Sequence, residues 1–219
     1  MAEQHPLWDL PTRVFHWSLP ILLPLAWWTA EEGNYDAHEW IGYTLLVLVL
    51  FRIVWGFIGS RHSRFRDFLA GPRAIVAYLK GQGSESPGHN ALGGWSVMAL
   101  LGLLLIQALS GLVNTDDVFF SGPLHYWAPD ELRDSLGAWH DDYGFYVLLG
   151  FIALHIAAVL FYQFARRQSL VQAMWRGRAD GRAGNSASVP LWRALLVLIV
   201  VAGLLWGLVS FAPQPQPMW

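Results

Sequence analysis

Cysteine is absent from the 219 residues, and charge is scarce, with Asp, Glu, Lys and Arg making up 14% of the chain. Without thiols there is no disulfide, no thiolate-held iron–sulfur cluster and no covalent c-type haem, so any cofactor must be held by other side chains. A soluble domain carries about 25% charged residues, and the shortfall excludes that class. The near-even balance of 14 basic and 16 acidic residues gives no sign of a nucleic-acid partner. What stands in place of charge is hydrophobic residues, 54% of the chain, including 13 tryptophans. They gather into apolar runs close to the roughly 20 residues that cross about 30 Å of hydrocarbon.

Five such runs predict membrane spans at residues 13–30, 37–59, 91–113, 138–164 and 191–211. The expected fold is therefore all-α, an integral membrane bundle in contact with lipid. Arg13, Arg61, Arg64, Arg66, Arg73, Lys80, Arg166, Arg167, Arg176, Arg178 and Arg182 fall on one side of that arrangement, and Arg133 alone on the other. The positive-inside rule then makes the N-terminus cytoplasmic and puts the C-terminus on the opposite side. No cleavable leader is expected, because the first run lacks a basic start and a small-residue cleavage site and is interrupted by Pro20 and Pro24. Between spans two and three, Phe65, Phe68, Leu69, Ile75, Val76 and Leu79 interleave with Arg64, Arg66, Arg73 and Lys80, a pattern for a short helix in the headgroup region. Residues 176–189 are rich in Gly, Ala, Ser and Arg and read as a flexible cytoplasmic joint. They divide a body at 8–175 from an additional C-terminal transmembrane helix at 190–212. That helix holds no histidine or acidic residue, so its expected role is packing or partner contact.

Eight histidines are present: His5, His16, His38, His62, His89, His125, His140 and His155. An ionisable group inside a span is costly and is by default a functional candidate facing the bundle interior. His16 near the start of span one and His155 late in span four share the inner half. His38 and His140, which open spans two and four from outside, share the outer half. Each level-matched pair fits the two axial imidazoles of one six-coordinate haem. The fifteen residues from His140 to His155 rise about 22 Å along a helix, enough for two stacked porphyrins, but fifteen steps leave the side chains roughly 60° apart, so a tilt or local bulge is expected. Gly42 and Gly144, each one turn after a ligand candidate, leave room for a flat macrocycle or for plain helix packing. His5 reads as solvated and His62 as headgroup-facing. His89 competes for the inner site or a proton relay, and His125 suits a partner surface or proton path. Arg52 interrupts span two; it either snorkels to water or pairs with a carboxylate of the inner cofactor, and Arg13 offers the same pairing. Trp40, Trp127 and Trp139 suit an interfacial aromatic belt.

Three stretches carry a resemblance: Asp9-Leu10-Pro11-Thr12-Arg13-Val14-Phe15-His16-Trp17, His38-Glu39-Trp40-Ile41-Gly42-Tyr43, and Phe51 to His62. With Gly88 to Gly94, Gly111 to Asp117, Trp139-His140 and Leu154-His155, they resemble the bacterial cytochrome b561 and nickel–iron hydrogenase b-type cytochrome family from about Trp8 to Trp175. The resemblance implies a four-helix core in the bacterial inner membrane holding two non-covalent b-type haems, His16 with His155 and His38 with His140 as ligands. Members of the family usually separate the two helix-four histidines by one residue fewer, and the fifth helix lies outside the minimal core.

The implied function is transmembrane electron transfer between the quinone pool and a redox partner, with a quinone expected near His16, His89 and Arg52. The partner is a periplasmic c-type cytochrome or a hydrogenase. The acidic outer loop with Asp116, Asp117, Asp130, Glu131, Asp134, Asp141 and Asp142 suits a basic cytochrome by complementary charge, or is solvated loop. Two alternatives stay open, a quinone-linked haem oxidoreductase acting on a small substrate such as superoxide, and a non-redox membrane protein using the histidines for metal or protons.

Overall fold

The computed structural model describes residues 7–82, 88–116, 120–178 and 189–213. Among them there is no sheet; Thr115 and Ser121 form an isolated antiparallel bridge. Helices follow in the order α1 (Leu10–Glu31), α2 (Tyr35–Ile58), α3 (Phe65–Phe68), α4 (Pro72–Leu79), α5 (Ala91–Gly111), α6 (Asp130–Ala138), α7 (Phe145–Leu160), α8 (Leu170–Arg176) and α9 (Leu191–Ser210). A π-helical turn at Trp139–Gly144 joins α6 to α7, and a second at Phe161–Ala165 extends α7, so that Asp130–Ala165 reads as one helix of 36 residues. Lipid offers no hydrogen-bond partner to a backbone, which is why apolar runs of this length close their own bonds as helices.

Among the described residues four helices are long and apolar enough to cross a membrane: Tyr35–Ile58, Ala91–Gly111, Asp130–Ala165 and Leu191–Ser210. The expected first span is a continuous helix of 22 residues running through Pro20 and Pro24, but it does not join those four. Thr12, Arg13, Ser18 and Thr29 dilute its apolar character.

Short polar residues set where the chain enters its helices. Asp9 accepts the Thr12 N–H at 2.9 Å, Asn34 accepts that of Ala37 at 3.2 Å, and Asn90 accepts that of Gly93 at 2.7 Å. Each satisfies a donor that the first helical turn leaves open. At the other end of α8, Gly177 takes φ +74°, which a side chain disfavours, and a methyl there would stand 2.8 Å from the Trp8 carbonyl. The carbonyl of Gly177 in turn accepts the Leu7 and Trp8 N–H groups.

The chain divides into two compact units. One comprises Met1–Trp17, Arg52–Leu101 and Phe151–Val197. Its centre is polar as well as apolar: Asp9 accepts from Trp55 Nε1 at 2.8 Å and from Ser63 Oγ at 3.0 Å, while Ser63 also meets Thr12 Oγ1 at 2.7 Å. Trp55, Ser60 and Ser63 are fully buried around this carboxylate. Phe65 lies where a side chain on Gly56 would be, under the Arg52 guanidinium at 5.3 Å. Phe65 and Phe68, expected to lie along headgroups, are instead buried, whereas Val76 and Leu79 of α4 remain exposed.

The other unit comprises Ser18–Phe51, Gly102–Gly150 and Leu198–Trp219. Leu46 of α2, Leu112 and Leu205 of α9 form its apolar core, and Trp206 stacks on Trp40 at 6.1 Å. The added C-terminal helix is thus packed into this unit through Leu205. Ala194 and Val201 of this helix are also buried, whereas Leu195, Leu196, Ile199 and Leu204 are exposed as lipid-facing residues are. Of the expected joint at 176–189, residues 179–188 lie outside the described residues, as does His5.

Removing the Asp9 carboxylate takes away the buried acceptor that Trp55 Nε1 and Ser63 Oγ share. Burial alone would raise this carboxyl, but the hydrogen bonds from Thr12, Ser60 and Trp55 outweigh it and hold it below its ordinary 3.8. Its contribution is therefore present above about pH 4 and lost as pH falls through the lowered value. Asp9→Ala is expected to cost about 3 kcal/mol, read as a lower melting temperature in detergent at neutral pH; an unchanged melt would contradict this.

Candidate haem sites

The histidines come together in twos. His16 of α1 and His155 of α7 lie in the first unit with ring centres 6.4 Å apart and planes at 59°. His38 of α2 and His140 of the π-turn lie in the second, 6.0 Å apart and at 88°. With a metal–nitrogen bond of about 2 Å and a ring centre about 1.2 Å behind each nitrogen, two imidazoles that shared one metal ion from opposite sides would have ring centres about 6.4 Å apart. Both pairs have that spacing. Among the described residues no three His, Asp or Glu side chains gather as a cation site, so each pair would leave its metal's remaining positions to another ligand, as a porphyrin fills them.

The second pair is held by main-chain acceptors. His38 Nδ1 is 2.8 Å from the Ala26 carbonyl, and His140 Nδ1 is 2.9 Å from that of Gln107. A carbonyl only accepts, so both rings carry their proton on Nδ1 and keep Nε2 free as a ligand. In the first pair His16 Nδ1 is buried with no partner.

The π-turn resolves the spacing of His140 and His155. It inserts about one extra residue into a helical turn, and it lies between the two histidines. Their fifteen-residue separation therefore behaves as fourteen α-helical steps, and both rings meet their partners. Gly144 belongs to the same device, since a side chain there would collide with Gln107 Oε1 and Trp139 Nε1. Its smallness is used by packing. Beside Gly42 there is open space within 4 Å of where a side chain would begin. Trp40 and Trp127 are exposed as an interfacial belt requires, but Trp139 turns its Nε1 inward, buried and unpartnered.

Arg52 does not snorkel. It is 3% exposed, and its Nη1 has no hydrogen-bond partner. A buried guanidinium nitrogen in that condition fits a planar anion such as a cofactor carboxylate. Arg13 is differently engaged, its guanidinium donating to the carbonyls of Met174 and Trp175 at the end of α8. His89 packs edge-on against Trp8 at 4.8 Å and against Phe68 at 4.6 Å, with Nδ1 buried and unpartnered. It is not brought into ring contact with His16 or His155. His62, expected at the headgroups, buries its Nε2. His125 has both nitrogens occupied, Nδ1 donating to the Val113 carbonyl at 2.9 Å and Nε2 accepting from Arg133 at 3.1 Å. Its surroundings are structural.

Sequence reasoning missed Gln107, Ser110 and Gly111 of α5, which all touch His140. The available signal was a pair of polar residues three apart in an otherwise apolar span.

Over residues 7–177 the sequence matches the family described as prokaryotic cytochrome b561. The chain belongs to that family. It is a membrane b-type cytochrome of electron transfer, with haem b as its group. It is similar to the probable Ni/Fe-hydrogenase B-type cytochrome subunit of Bradyrhizobium diazoefficiens, 24% identical over 216 residues covering 80% of this chain and 86% of the relative. No solved structure matches.

Burial and then the Arg52 charge push His89 down to about 3, and burial and Arg61 lower His62. Unfolding therefore takes up protons below the ordinary histidine value of 6.5. Stability contributed by these neutral rings is full above that value and is lost as pH falls toward about 3. Melting temperatures between about pH 4 and pH 7 are expected to fall with acid less steeply in His89→Phe than in the parent chain; equal slopes would count against it.

Proposed function

We propose that this cytochrome carries electrons across the membrane through two non-covalent b-type haems, between the quinone pool and a redox partner. The observation that carries the reading is the pairing of four histidines at 6.0 and 6.4 Å. Haem supplies one-electron exchange between ferric and ferrous iron. In this reading His16 with His155 and His38 with His140 hold the two irons. Arg52 binds a carboxylate of the first haem, and the open side of Gly42 accommodates a flat ring.

The di-haem domain is residues 8–175, joined through 176–189 to the added helix at 190–212. With α1 as a further crossing, the basic connections face the cytoplasm and the C-terminus the periplasm of a bacterial inner membrane. Unpartnered polar atoms on His16, His89 and Arg52 support quinone binding in the first unit. The similarity to a hydrogenase cytochrome subunit supports a hydrogenase as partner. Exposed Glu131, Asp134, Asp141 and Asp142 support a basic c-type cytochrome in the same role.

The deciding experiment is a dithionite-reduced minus oxidised spectrum of the detergent-purified chain with pyridine haemochrome quantitation. About two haems per polypeptide are expected; none, in a folded preparation supplied with haem, overturns the reading. His38→Ala and His140→Ala are each expected to remove one haem, and His16→Ala and His155→Ala the other. Full haem retained in His155→Ala refutes that pair.

Redox titration orders the two sites. Hydrogen bonds from Nδ1 to carbonyls make His38 and His140 stronger donors to ferric iron, while His16 has no such acceptor. The haem lost in His140→Ala is expected to be the one of lower midpoint; the reverse order contradicts the assignment.

A further inference from the structure

We propose that α5, which supplies no haem ligand, orients His140 and tunes the iron it would bind, through Gln107, Ser110 and Gly111. The inference rests on the ligand pairs above. These residues stand at positions i, i+3 and i+4 and so share one helix face. All three converge on a single imidazole.

Gly111 supplies the space. A methyl on it would stand 2.8 Å from His140 Cε1 and 3.3 Å from Nδ1, so the ring lies flush against a backbone that only glycine leaves bare. Gln107 grips His140 twice. Its main-chain carbonyl accepts from Nδ1 at 2.9 Å, and its side-chain Nε2 donates to the His140 carbonyl at 2.9 Å. The reverse amide orientation would set Oε1 against that carbonyl, acceptor against acceptor. The second grip falls on the π-turn, where the regular α-helical ladder is interrupted.

Ser110, fully buried, completes the set. Its Oγ donates to the Gln107 carbonyl at 2.9 Å and lies 3.1 Å from His140 Nδ1. The carbonyl that receives the imidazole proton is thus shared with a hydroxyl. Sharing weakens what the carbonyl can draw from the ring, and the basicity of an axial imidazole follows that outer contact. Ser110 acts as a positioning residue that holds the midpoint of the His38–His140 haem above the value an unshared carbonyl would give.

The test uses the full chain, purified with haem, with the His16–His155 haem as an internal folding control in every sample. Ser110→Ala removes one oxygen atom. It is expected to lower the midpoint of the haem that His140→Ala abolishes by about tenfold in the reduced-to-oxidised ratio at fixed potential, or about 59 mV for one electron. The other midpoint stays where it was. Gly111→Ala is expected to cut occupancy of the same haem by at least half, and Gln107→Leu to speed its loss to apomyoglobin, with the other haem retained. An outer-shell role is overturned if Ser110→Ala leaves that midpoint unchanged, raises it, or moves both midpoints together. Where Gly111→Ala does not fold, Ser110→Ala decides alone. A parent chain without two haems sinks the ligand reading itself; a parent chain with two haems and unresponsive variants sinks only this inference.

Discussion

An imidazole among apolar helices has to find its partner inside the protein, because hydrocarbon offers none. Most of what is distinctive in this chain follows from that constraint. His38 and His140 meet it with main-chain carbonyls on Nδ1, and their ring centres lie 6.0 Å apart. His125, in a loop, meets it with a carbonyl and an arginine. His16 and Arg52 meet it only in part, since His16 Nδ1 and Arg52 Nη1 are buried without a hydrogen-bond partner. Native proteins rarely leave such groups, and where they stand beside a matched histidine pair they mark a place where a bound group completes the structure.

The two pairs are alike in ligand chemistry and unlike in surroundings. The His38–His140 pair is tied to main-chain acceptors, which favour the oxidised metal. The His16–His155 pair shares its unit with the buried Arg52 guanidinium, whose Nη1 has no hydrogen-bond partner, and with His89, whose ring is kept neutral by burial. A fixed positive charge in a poorly polarisable setting opposes further positive charge on a nearby iron. In the proposed di-haem reading both differences act in one sense and would separate the two sites in energy by what lies behind the ligands.

Much of this was legible in the sequence because hydrocarbon enforces simple rules. Runs of about 20 apolar residues marked the helices, and depth along those runs grouped His16 with His155 and His38 with His140, whose ring centres lie 6.4 and 6.0 Å apart. Arg52 was legible as a residue needing a reason. The side-chain outcome was less so. Whether Arg52 reached water depended on Phe65 and the Asp9–Trp55–Ser63 cluster closing over the same ground. Trp139 and Phe65 carried aromatic character suited to an interface, yet both were drawn inward by glycines, Gly144 and Gly56, that make no signal until their neighbours are known. The first helix was read as a span from its apolar run but does not join the helices apolar enough to cross, because it carries polar residues that make contacts, Thr12 to Ser63 and Arg13 to the end of α8.

The extra residue between His140 and His155 shows how a helix keeps a ligand geometry that its sequence would otherwise spoil. A one-residue insertion turns everything beyond it by about 100°, which would carry one ring of a pair out of reach. A π-turn takes up the residue locally, at the cost of poorer hydrogen bonds in that turn. The cost is met from a neighbouring helix: Gln107 donates to the His140 carbonyl within the turn, and Gly144 and Gly111 let the two backbones come close enough for it to do so. Ligand position in helix four is therefore a joint property of two helices. A reading confined to the histidines and their spacing could find the insertion but not its remedy, since the remedy is written in a helix that holds no histidine.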